Sequence, residues 1–340
     1  MEIYVLDKNF ETVAVIDDFT SLLWVKKYYT CGNFELCLNA DKKYDWIKYG
    51  NMLARDDDDE ESVMIIEKCR IQTDIENGDT FIISGRSLES ILSYRVIAWQ
   101  TNINNLSPVT AIKYLIEANQ GYRRLDGLVI DDSLEIPETM STQYTGDNLM
   151  NVVTEICKRF KFGFKMALSG GNIILSFYKG KKTDVIFSPE FDNLISSEYE
   201  FDYTNFANCA YIAGEGEGGY RKWSGINPTS ATFLDLKEIF VDAKDISSKT
   251  NDGELSEAEY RKKLVERGYE KLSEHAVTES FESEIAHDTT FHYNQDYRLG
   301  DIVTVSNGYG IQSESRITEI IESWDENGYT LVPTFEEEQE

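Results

Sequence analysis

The sequence predicts an α+β chain that is predominantly β, with two related β domains, an inserted α/β domain and a helical segment. Short apolar or alternating runs separated by turn residues fill the first 98 positions and return after about residue 184, which is typical of strands. Between them the pattern takes on a helical period. A faint internal repeat then connects the early and late β regions.

The repeat lies in the spacing of glycines around strand-like segments. Gly50 and Gly78 are separated by 28 residues, as are Gly300 and Gly328. Each copy reads as a strand, a second strand and an Asn-Gly hairpin into a third strand, because Asn-Gly supplies the positive φ angles of a two-residue turn. We interpret the repeat as a duplication and the four glycines as turns that determine the fold, not as a binding site.

The changes of pattern predict the domain boundaries. We place them as a first β domain at 1–98 with about 184–215, an inserted α/β domain at 99–183, a loop and helical region at 216–279, a second β domain at 280–335, and an acidic tail at 336–340.

The first β domain contains a run of six acids at 56–61 between two predicted strands. Six consecutive acids resist burial, so we expect a solvated hairpin tip. A calcium loop is the alternative, although the run lacks the glycine at the turn that such loops use.

Two helices and a hairpin are predicted in the insert. Ser107 before Pro108 is a good start for the first helix, and Asp147 is expected to cap the second. Gly170 and Gly171 are expected to turn between two strands.

A glycine-rich stretch at 214–219, which overlaps the start of the region 216–279, has a spacing that matches a dinucleotide-binding loop. Glu215 and Glu217 would face the pyrophosphate and no convincing helix follows, so we predict a flexible loop. Ser256 and Glu259 form a predicted capping box for a helix at about 256–277. The preceding 251–253 is expected to be a turn and not a calcium loop, since Ser248 and Thr250 stand where ionised ligands are needed.

Composition excludes several classes of protein. Of 340 residues, 61 are acidic and 33 basic, for a formal net charge of −28, so tight nucleic-acid binding is not expected. No apolar run is long enough to span a bilayer, and the N-terminus does not resemble a signal peptide. The odd cysteine count without a Cys-x-x-Cys pair predicts buried free thiols in a reducing cytoplasm; the cysteines are Cys31, Cys37, Cys69, Cys157 and Cys209.

The sequence nominates no catalytic, cofactor-binding or metal-binding residue. Motifs for nucleophilic serine, zinc and phosphate-loop chemistry are absent from the sequence, and His287 and His292 would face opposite sides of one strand. Paired carboxylates could hydrolyse a glycosidic bond, but chance pairs are expected among so many acids. The tryptophans could stack on sugars, with core packing the preferred interpretation; they are Trp24, Trp46, Trp99, Trp223 and Trp324.

The order of segments along nearly the whole chain resembles the siphovirus ReqiPepy-type tail proteins, a family of tail-tip hub proteins of long-tailed phages and prophages. The segments that carry the resemblance are 32–36, 63–67, 84–95, 144–149, 163–164, 187–188, 193–194, 208–214, 240–243, 296–305 and 316–320. The chain departs from the expected pattern at 180–183 and 235–238, where an arginine after an acidic residue would be expected.

The resemblance implies two β-barrel-like hub domains and a structural role at the tail tip, with no catalytic residues or cofactor to transfer. It implies a homotrimer whose six similar units mate with a hexameric distal tail ring, and which contacts tape-measure, fibre or receptor-binding proteins. Such a protein is assembled in the bacterial cytoplasm and resides in the virion tail, where an acidic conduit would let DNA pass without binding. A cell-wall-degrading tail hydrolase and a carbohydrate-binding tail module remain the alternatives.

Overall fold

In the computed structural model, residues 1–39, 44–57, 62–74, 78–191, 193–227, 233–250, 253–285, 290–306, 309 and 312–337 are described. They form one large sheet, several small sheets and three α-helices. The strands are β1 (Ile3–Leu6), β2 (Thr12–Ile16), β3 (Ser21–Lys27), β4 (Asn33–Asn39), β5 (Met52–Arg55), β6 (Val63–Asp74), β7 (Gly78–Ser87), β8 (Thr101–Leu106), β9 (Leu128–Asp131), β10 (Met140–Tyr144), β11 (Gly163–Ser169), β12 (Asn172–Tyr178), β13 (Lys182–Phe187), β14 (Leu194–Asp202), β15 (Cys209–Ala213), β16 (Trp223–Ile226), β17 (Glu238–Asp242), β18 (Lys249–Thr250), β19 (Gly253–Glu254), β20 (Thr278–Ile285), β21 (Ile302–Ser306), β22 (Gln312–Asp325) and β23 (Gly328–Glu337). The helices are α1 (Pro108–Glu117), α2 (Leu149–Phe160) and α3 (Glu257–Ser273), and a 3-10 helix spans Leu88–Tyr94.

The large sheet joins the early and late parts of the chain. Its strand order is β14-β20-β23-β22-β3-β4-β7-β6-β5-β1-β2, and β21 and β13 branch from β22. The α+β, predominantly β fold class is confirmed. The expectation of barrel-like domains needs correction, because in the described residues the two ends of this path do not pair and neither half closes into a barrel.

The internal repeat of the sequence is a repeat of structure. Strands β5-β6-β7, the early meander, and β21-β22-β23, the late meander, have the same antiparallel order. The Gly50 N–H donates to the Ile66 carbonyl at 3.0 Å, and the Gly300 N–H donates to the Ile317 carbonyl at 2.8 Å. The residue that follows this isoleucine is the extra residue of a β-bulge in each copy. It lies between Ile66 and Lys68 in the early meander and between Ile317 and Glu319 in the late meander. Two unrelated meanders would not be expected to share both hydrogen bond and bulge.

The equivalence extends to two further strands on each side. In the early half, β7 pairs with β4 and β4 with β3; in the late half, β23 pairs with β20 and β20 with β14. The outermost strands differ, since β1 is antiparallel to β5 and β13 is parallel to β21. Thus β14 and most of β13, which lie in the segment 184–215 that the sequence groups with the first β domain, pair with late strands. The sequence of a short segment can show that it forms a strand, but it does not show which other strand it will pair with.

The insert follows the predicted order, with one correction. Ser107 Oγ accepts the Thr110 N–H at 3.3 Å, with Pro108 as the first helical residue, which confirms the predicted start of α1. The cap of α2 is Asn148, whose side chain accepts the Met150 N–H at 3.0 Å. Asp147 instead accepts the N–H of Thr145. Asp and Asn are similarly good caps, and only the backbone conformation selects between neighbours.

Helix α3 packs on the small sheet β16-β15-β17. The capping box of Ser256 and Glu259 is confirmed, with the Ser256 N–H donating to Glu259 at 2.9 Å and the Glu259 N–H donating to Ser256 Oγ at 3.3 Å. The helix ends at Ser273, short of the predicted 277. Of the expected turn at 251–253, residues 251 and 252 lie outside the described residues.

Within the described ranges, three apolar clusters stabilise the chain. The largest combines the insert with the late meander, the second fills the early half, and the third lies between α3 and β15. No helix in the described ranges is both long enough and apolar enough to cross a membrane.

Candidate assembly site at the junction of the two halves

The two halves meet where β3 pairs antiparallel with the second part of β22. The ladder, called the junction below, runs from Lys27 opposite Glu319 to Leu22 opposite Trp324. Lys27 and Glu319 form an ion pair of 3.3 Å that is partly exposed. A continuous backbone ladder fixes both the spacing and the rotation between the halves, since a slip of one residue would turn every side chain to the opposite face.

A buried charged cluster lies against the junction. Arg55 donates to both carboxylate oxygens of Glu322, at 3.0 and 3.3 Å, and Lys26 Nζ lies 3.5 Å from the same carboxylate. Tyr329 Oη donates to Glu322 at 3.2 Å. Burial disfavours the charged form of Arg55, but the carboxylates of Glu322 and Asp57 together outweigh this effect and raise the pKa of Arg55. One carboxylate from the late half therefore holds groups from both halves.

Aromatic rings enclose this cluster. The Arg55 guanidinium lies 4.2 Å from the ring centre of Trp324 and 5.4 Å from that of Trp24, within the range of cation–π attraction. Trp24 is fully buried and its indole N–H donates to Ser62 at 2.9 Å. Burial, followed by the Glu322 charge, raises the pKa of Tyr329, so this hydroxyl stays a donor at physiological pH.

Tyr28, directly after β3, connects the junction to the insert. Its N–H donates to the Thr318 carbonyl at 2.9 Å, which extends the junction ladder to the bulge residue of the late meander. Its hydroxyl donates to the Tyr178 carbonyl at 3.3 Å and accepts the Gly180 N–H at 3.2 Å. A Cβ atom built on Gly300 would lie 2.3 Å from the Tyr28 ring, so the ring packs directly on the late-meander turn.

The four turn glycines named from the sequence all have positive φ angles. The angles are +85° at Gly50, +82° at Gly78, +92° at Gly300 and +112° at Gly328. Nothing lies within 4 Å of a Cβ atom built on Gly78 or Gly328, whereas Gly300 is closely packed. Glycine is thus needed for conformation at all four positions and also for space at Gly300.

A cavity of about 560 Å³ lies between β3, the insert and the segment before β21. The carboxylates that line it accept backbone N–H groups. Glu89 accepts from Met166 at 2.7 Å, and Asp301 accepts from Lys181 at 2.8 Å and Arg298 at 3.0 Å. Burial raises the pKa of Glu89. These hydrogen bonds hold the insert and the late turn in place and nominate neither an acid nor a base for catalysis.

A second buried charged cluster attaches α3 to the insert. Tyr144 Oη donates to Glu270 at 2.9 Å, and Arg267 donates to Glu270 at 3.1 Å and to the Gln143 carbonyl at 2.7 Å. Arg267 also pairs with Asp245 at 3.0 Å. Burial raises the pKa of Glu270. The residues of this cluster come from segments that are far apart in sequence, so no local sequence pattern predicts it.

Glu155 on α2 gives this interface a pH dependence. Burial, supported by the neighbouring Glu270 and Glu274 and opposed by Lys271, raises the pKa of Glu155 to about 7. In the unfolded chain this carboxyl ionises near 4.5. The folded chain therefore binds the extra proton between these values, and stability falls as pH rises through that window.

We expect Glu155→Gln to remove this loss of stability. Relative to wild type, the variant should gain about 1 to 2 kcal/mol of unfolding free energy between pH 5 and pH 8, after allowance for partial exposure. Urea unfolding followed by tryptophan fluorescence at both pH values measures this gain. Glu117→Gln, at an exposed carboxylate on α1, should change stability equally at both pH values; the same behaviour in Glu155→Gln would contradict the assignment.

The remaining sequence-predicted features are scattered. Residues 58–61 of the acid run lie outside the described residues, while Asp56 accepts the Glu2 N–H at 2.8 Å and Asp57 pairs with Arg55 at 2.9 Å. In the loop 214–219, Glu215 pairs with Lys222 at 2.8 Å and accepts the Ser248 N–H at 3.0 Å. The Glu215 carboxylate thus accepts a backbone N–H and pairs with the nearby lysine.

Histidines and cysteines form no shared site in the part of the chain that is described. His275 contacts the Asn205 carbonyl at 2.9 Å, and His287 lies outside the described residues. No group of three or more potential metal ligands gathers among the described residues. The five cysteines are free, but only Cys157 and Cys209 are buried. The expectation of burial is wrong for Cys69, which is exposed because it lies on β6 beyond the bulge.

The tryptophans divide between core and surface. Trp24 is buried, Trp46 and Trp324 pack on the core cluster of the early half, and Trp99 and Trp223 are 76% and 55% exposed. Core packing is thus confirmed for three and wrong for two. The position of a single tryptophan in the sequence does not show whether other parts of the chain will pack against its indole.

Comparison with known proteins identifies similar chains over the full length. A family model described as Siphovirus ReqiPepy6 Gp37-like protein matches residues 2–335. No curated protein matches the sequence.

Solved structures of tail proteins share the fold. The 43 kDa tail protein of prophage MuSo2 from Shewanella oneidensis has 14% identity and a TM-score of 0.60, with 98% of this chain and 97% of that chain covered. A tail protein from Neisseria meningitidis MC58 has 12% identity and a TM-score of 0.59, with 99% and 96% covered. Prophage tail protein gp18 from Listeria monocytogenes EGD-e has 11% identity and a TM-score of 0.58, with 100% and 95% covered.

Proposed function

Because the chain belongs to the Siphovirus ReqiPepy6 Gp37-like protein family, and is therefore a phage tail protein, we propose that it is a hub of the tail tip. In this proposal three copies form a ring that joins the hexameric distal tail ring to tip, tape-measure or fibre proteins. The resemblance found in the sequence is confirmed by the family match, and location in the virion tail follows from it.

The observation that carries the proposal is the repeated meander. Each copy of the chain contains two halves with the same strand order, the same glycine hydrogen bond and the same bulge. Three copies therefore present six similar β units, which is the number needed to match a sixfold ring. The junction and the buried Arg55–Glu322 pair hold the two units of each copy at one fixed spacing.

Charge supports a role around a DNA conduit. A net charge of −28 gives a surface that repels the phosphate backbone, so DNA could move past without adhering. The carboxylates that line the cavity are engaged in backbone hydrogen bonds, which suits a structural role better than a hydrolytic one.

Light scattering on purified protein, alone and with the distal tail protein of the same phage, tests the proposal. We expect a species of three times the 39.0 kDa chain mass that binds one distal-protein hexamer. A chain that remains monomeric both alone and with that ring would overturn the proposal. Addition of duplex DNA should leave the mass unchanged.

A further inference from the structure

Among the strands of the large sheet that lack a neighbour on one side in the described chain, β6 and β14 are related by the internal repeat. Strand β6 pairs with β5 only through Val63, Met64 and Ile65, and from Lys68 to Thr73 it pairs with β7 alone. Strand β14 ends the sheet and pairs with β20 alone. Unpaired edges are templates for another strand, and proteins usually shorten, bend or cover them.

In the internal repeat, these two edges correspond to the edges of two strands that do pair with each other within the chain. Strand β6 occupies the place of β22, and β14 occupies the place of β3. Within one chain, β22 and β3 pair to form the junction. The equivalent edges of β6 and β14 face away from each other's halves, so within one chain they remain unused.

The registers make the correspondence residue by residue. Gly85 lies opposite both Ile66 and Phe34, and Phe34 lies opposite Trp24. In the late half, the matching row runs from Ile317 through Phe335 and Phe281 to Tyr199. Trp24 of β3 thus corresponds to Tyr199 of β14. Counting from the bulges, Glu319 of β22 corresponds to Lys68 of β6.

We propose that β6 of one copy pairs antiparallel with β14 of the next copy, in the register of the junction. The inference rests on the proposed ring and names its interface. Transferring the junction register places Lys68 opposite Asp202, Arg70 opposite Glu200, and Gln72 opposite Glu198 on one face. On the other face it places Cys69 opposite Phe201 and Ile71 opposite Tyr199.

The charges of the two strands are complementary in this register. The ion pair of Lys27 and Glu319 at the junction becomes Lys68 and Asp202, with the signs exchanged between the strands. The next pair on the same face, Arg70 and Glu200, is also of opposite sign. Opposite charges directly across an antiparallel ladder stabilise the pairing, and like charges destabilise it. Because Glu198, Glu200 and Asp202 alternate along β14, their charges select the face of this strand that meets Lys68 and Arg70.

The apolar face agrees as well. Ile71 is 62% exposed and Phe201 is 63% exposed, on strands where burial of such side chains is the rule. In the proposed ladder both lie on the side opposite the charges and contact apolar partners. Pairing would therefore cover two exposed apolar side chains and satisfy the backbone of both edges.

The interface is head to tail, because the two edges lie on different strands of the same chain. Such an interface closes into a ring only if the rotation between copies divides a full turn. In a ring of three copies, three junctions and three β6–β14 contacts alternate as six steps. If the contact repeats the geometry of the junction, closure as a trimer requires each step to rotate by one sixth of a turn.

Disulfide trapping tests the register. Phe201→Cys should form an intermolecular disulfide with the native Cys69 under mild oxidation, because residues directly opposite in an antiparallel ladder have Cα atoms about 4.5 to 5.5 Å apart. Glu200→Cys, one residue away on the other face, should not link to Cys69, and Cys69→Ser with Phe201→Cys should abolish the link. Non-reducing gels should show disulfide-linked dimers and trimers, and no linked species larger than a trimer.

The outcomes separate this inference from the proposed function. Trimers in solution without a Phe201→Cys link, or with equal linking by Glu200→Cys, would overturn the β6–β14 interface and leave the hub proposal standing. A monomer with no link, alone and with the distal ring, would overturn both. A ladder of links beyond three copies would overturn ring closure.

Charge reversal provides an independent measurement. Lys68→Glu with Arg70→Glu should weaken self-association at least about tenfold, because two attractive cross-strand pairs become repulsive. Adding Glu200→Lys and Asp202→Lys to the same chain should restore association, since every interface is then complementary again. Failure of the fourfold variant to recover, with its folding intact by circular dichroism, would contradict the register.

Discussion

Replacing Glu322 with alanine is expected to destabilise the protein by about 3 to 5 kcal/mol, since the buried Arg55 loses both hydrogen bonds to its buried carboxylate partner and keeps only the exposed Asp57. The Arg55 side chain is 2% exposed and that of Glu322 is 6% exposed, so water cannot replace the lost contacts. Lys26 and Tyr329 lose the same partner. Urea unfolding followed by tryptophan fluorescence measures the effect, because Trp24 and Trp324 both contact Arg55.

The chain provides a matched control on the same strand. Glu319 makes an ion pair with Lys27 in which the two side chains are 25% and 33% exposed, and Glu319→Ala should cost no more than about 1 kcal/mol. Arg55→Met combined with Glu322→Leu should recover part of the loss, because the buried guanidinium is removed together with its carboxylate, while Lys26 still loses Glu322. Equal costs for Glu322→Ala and Glu319→Ala would show that the buried pair does not hold the two halves together.

The second large effect is expected at Gly300. Gly300→Ala should cost about 3 kcal/mol or more, because two penalties combine there. The φ angle of +92° disfavours any side chain, and the added Cβ atom would lie 2.3 Å from the buried Tyr28 ring. Movement of Tyr28 would also disturb its hydrogen bonds to the insert and to β22.

Gly328→Ala separates the two penalties. Its φ angle of +112° is also positive, but nothing lies within 4 Å of the added Cβ atom, so only the backbone term remains, about 1 to 2 kcal/mol. Thermal and urea unfolding of the two variants should differ by the cost of the clash. Variants of equal stability would indicate that Tyr28 does not pack on the Gly300 turn as described.

Local sequence patterns predicted those parts of the fold that depend on neighbours in sequence. The helix start at Ser107, the capping box of Ser256 and the hairpin at Gly170 were found because a cap or a turn is completed within four residues. The start of α2 was misplaced by one residue, from Asn148 to Asp147, since both side chains can cap a helix and the sequence does not give the backbone angle that decides.

The candidate site was largely beyond sequence reasoning. Gly50 and Gly300 were found because the repeat retained their spacing, and both prove to donate the same hydrogen bond. Arg55 and Glu322 are 267 residues apart, and neither belongs to a motif. Their pairing depends on the junction of β3 with β22, which links strands that no periodicity connects.

By itself the sequence determined the strand-rich character, the helix caps, the glycine turns and the duplication, together with the family to which the chain belongs. All of these follow from short-range rules or from the order of segments along the chain. Only the tertiary structure decided that the two copies share one open sheet, that β13 and β14 pair with late strands, and that β6 and β14 keep unpaired edges in the described chain. The physical reason is that a strand specifies its two faces through alternation, but its edges are backbone and are alike in every sequence, so the partner is selected by the packing of the whole chain.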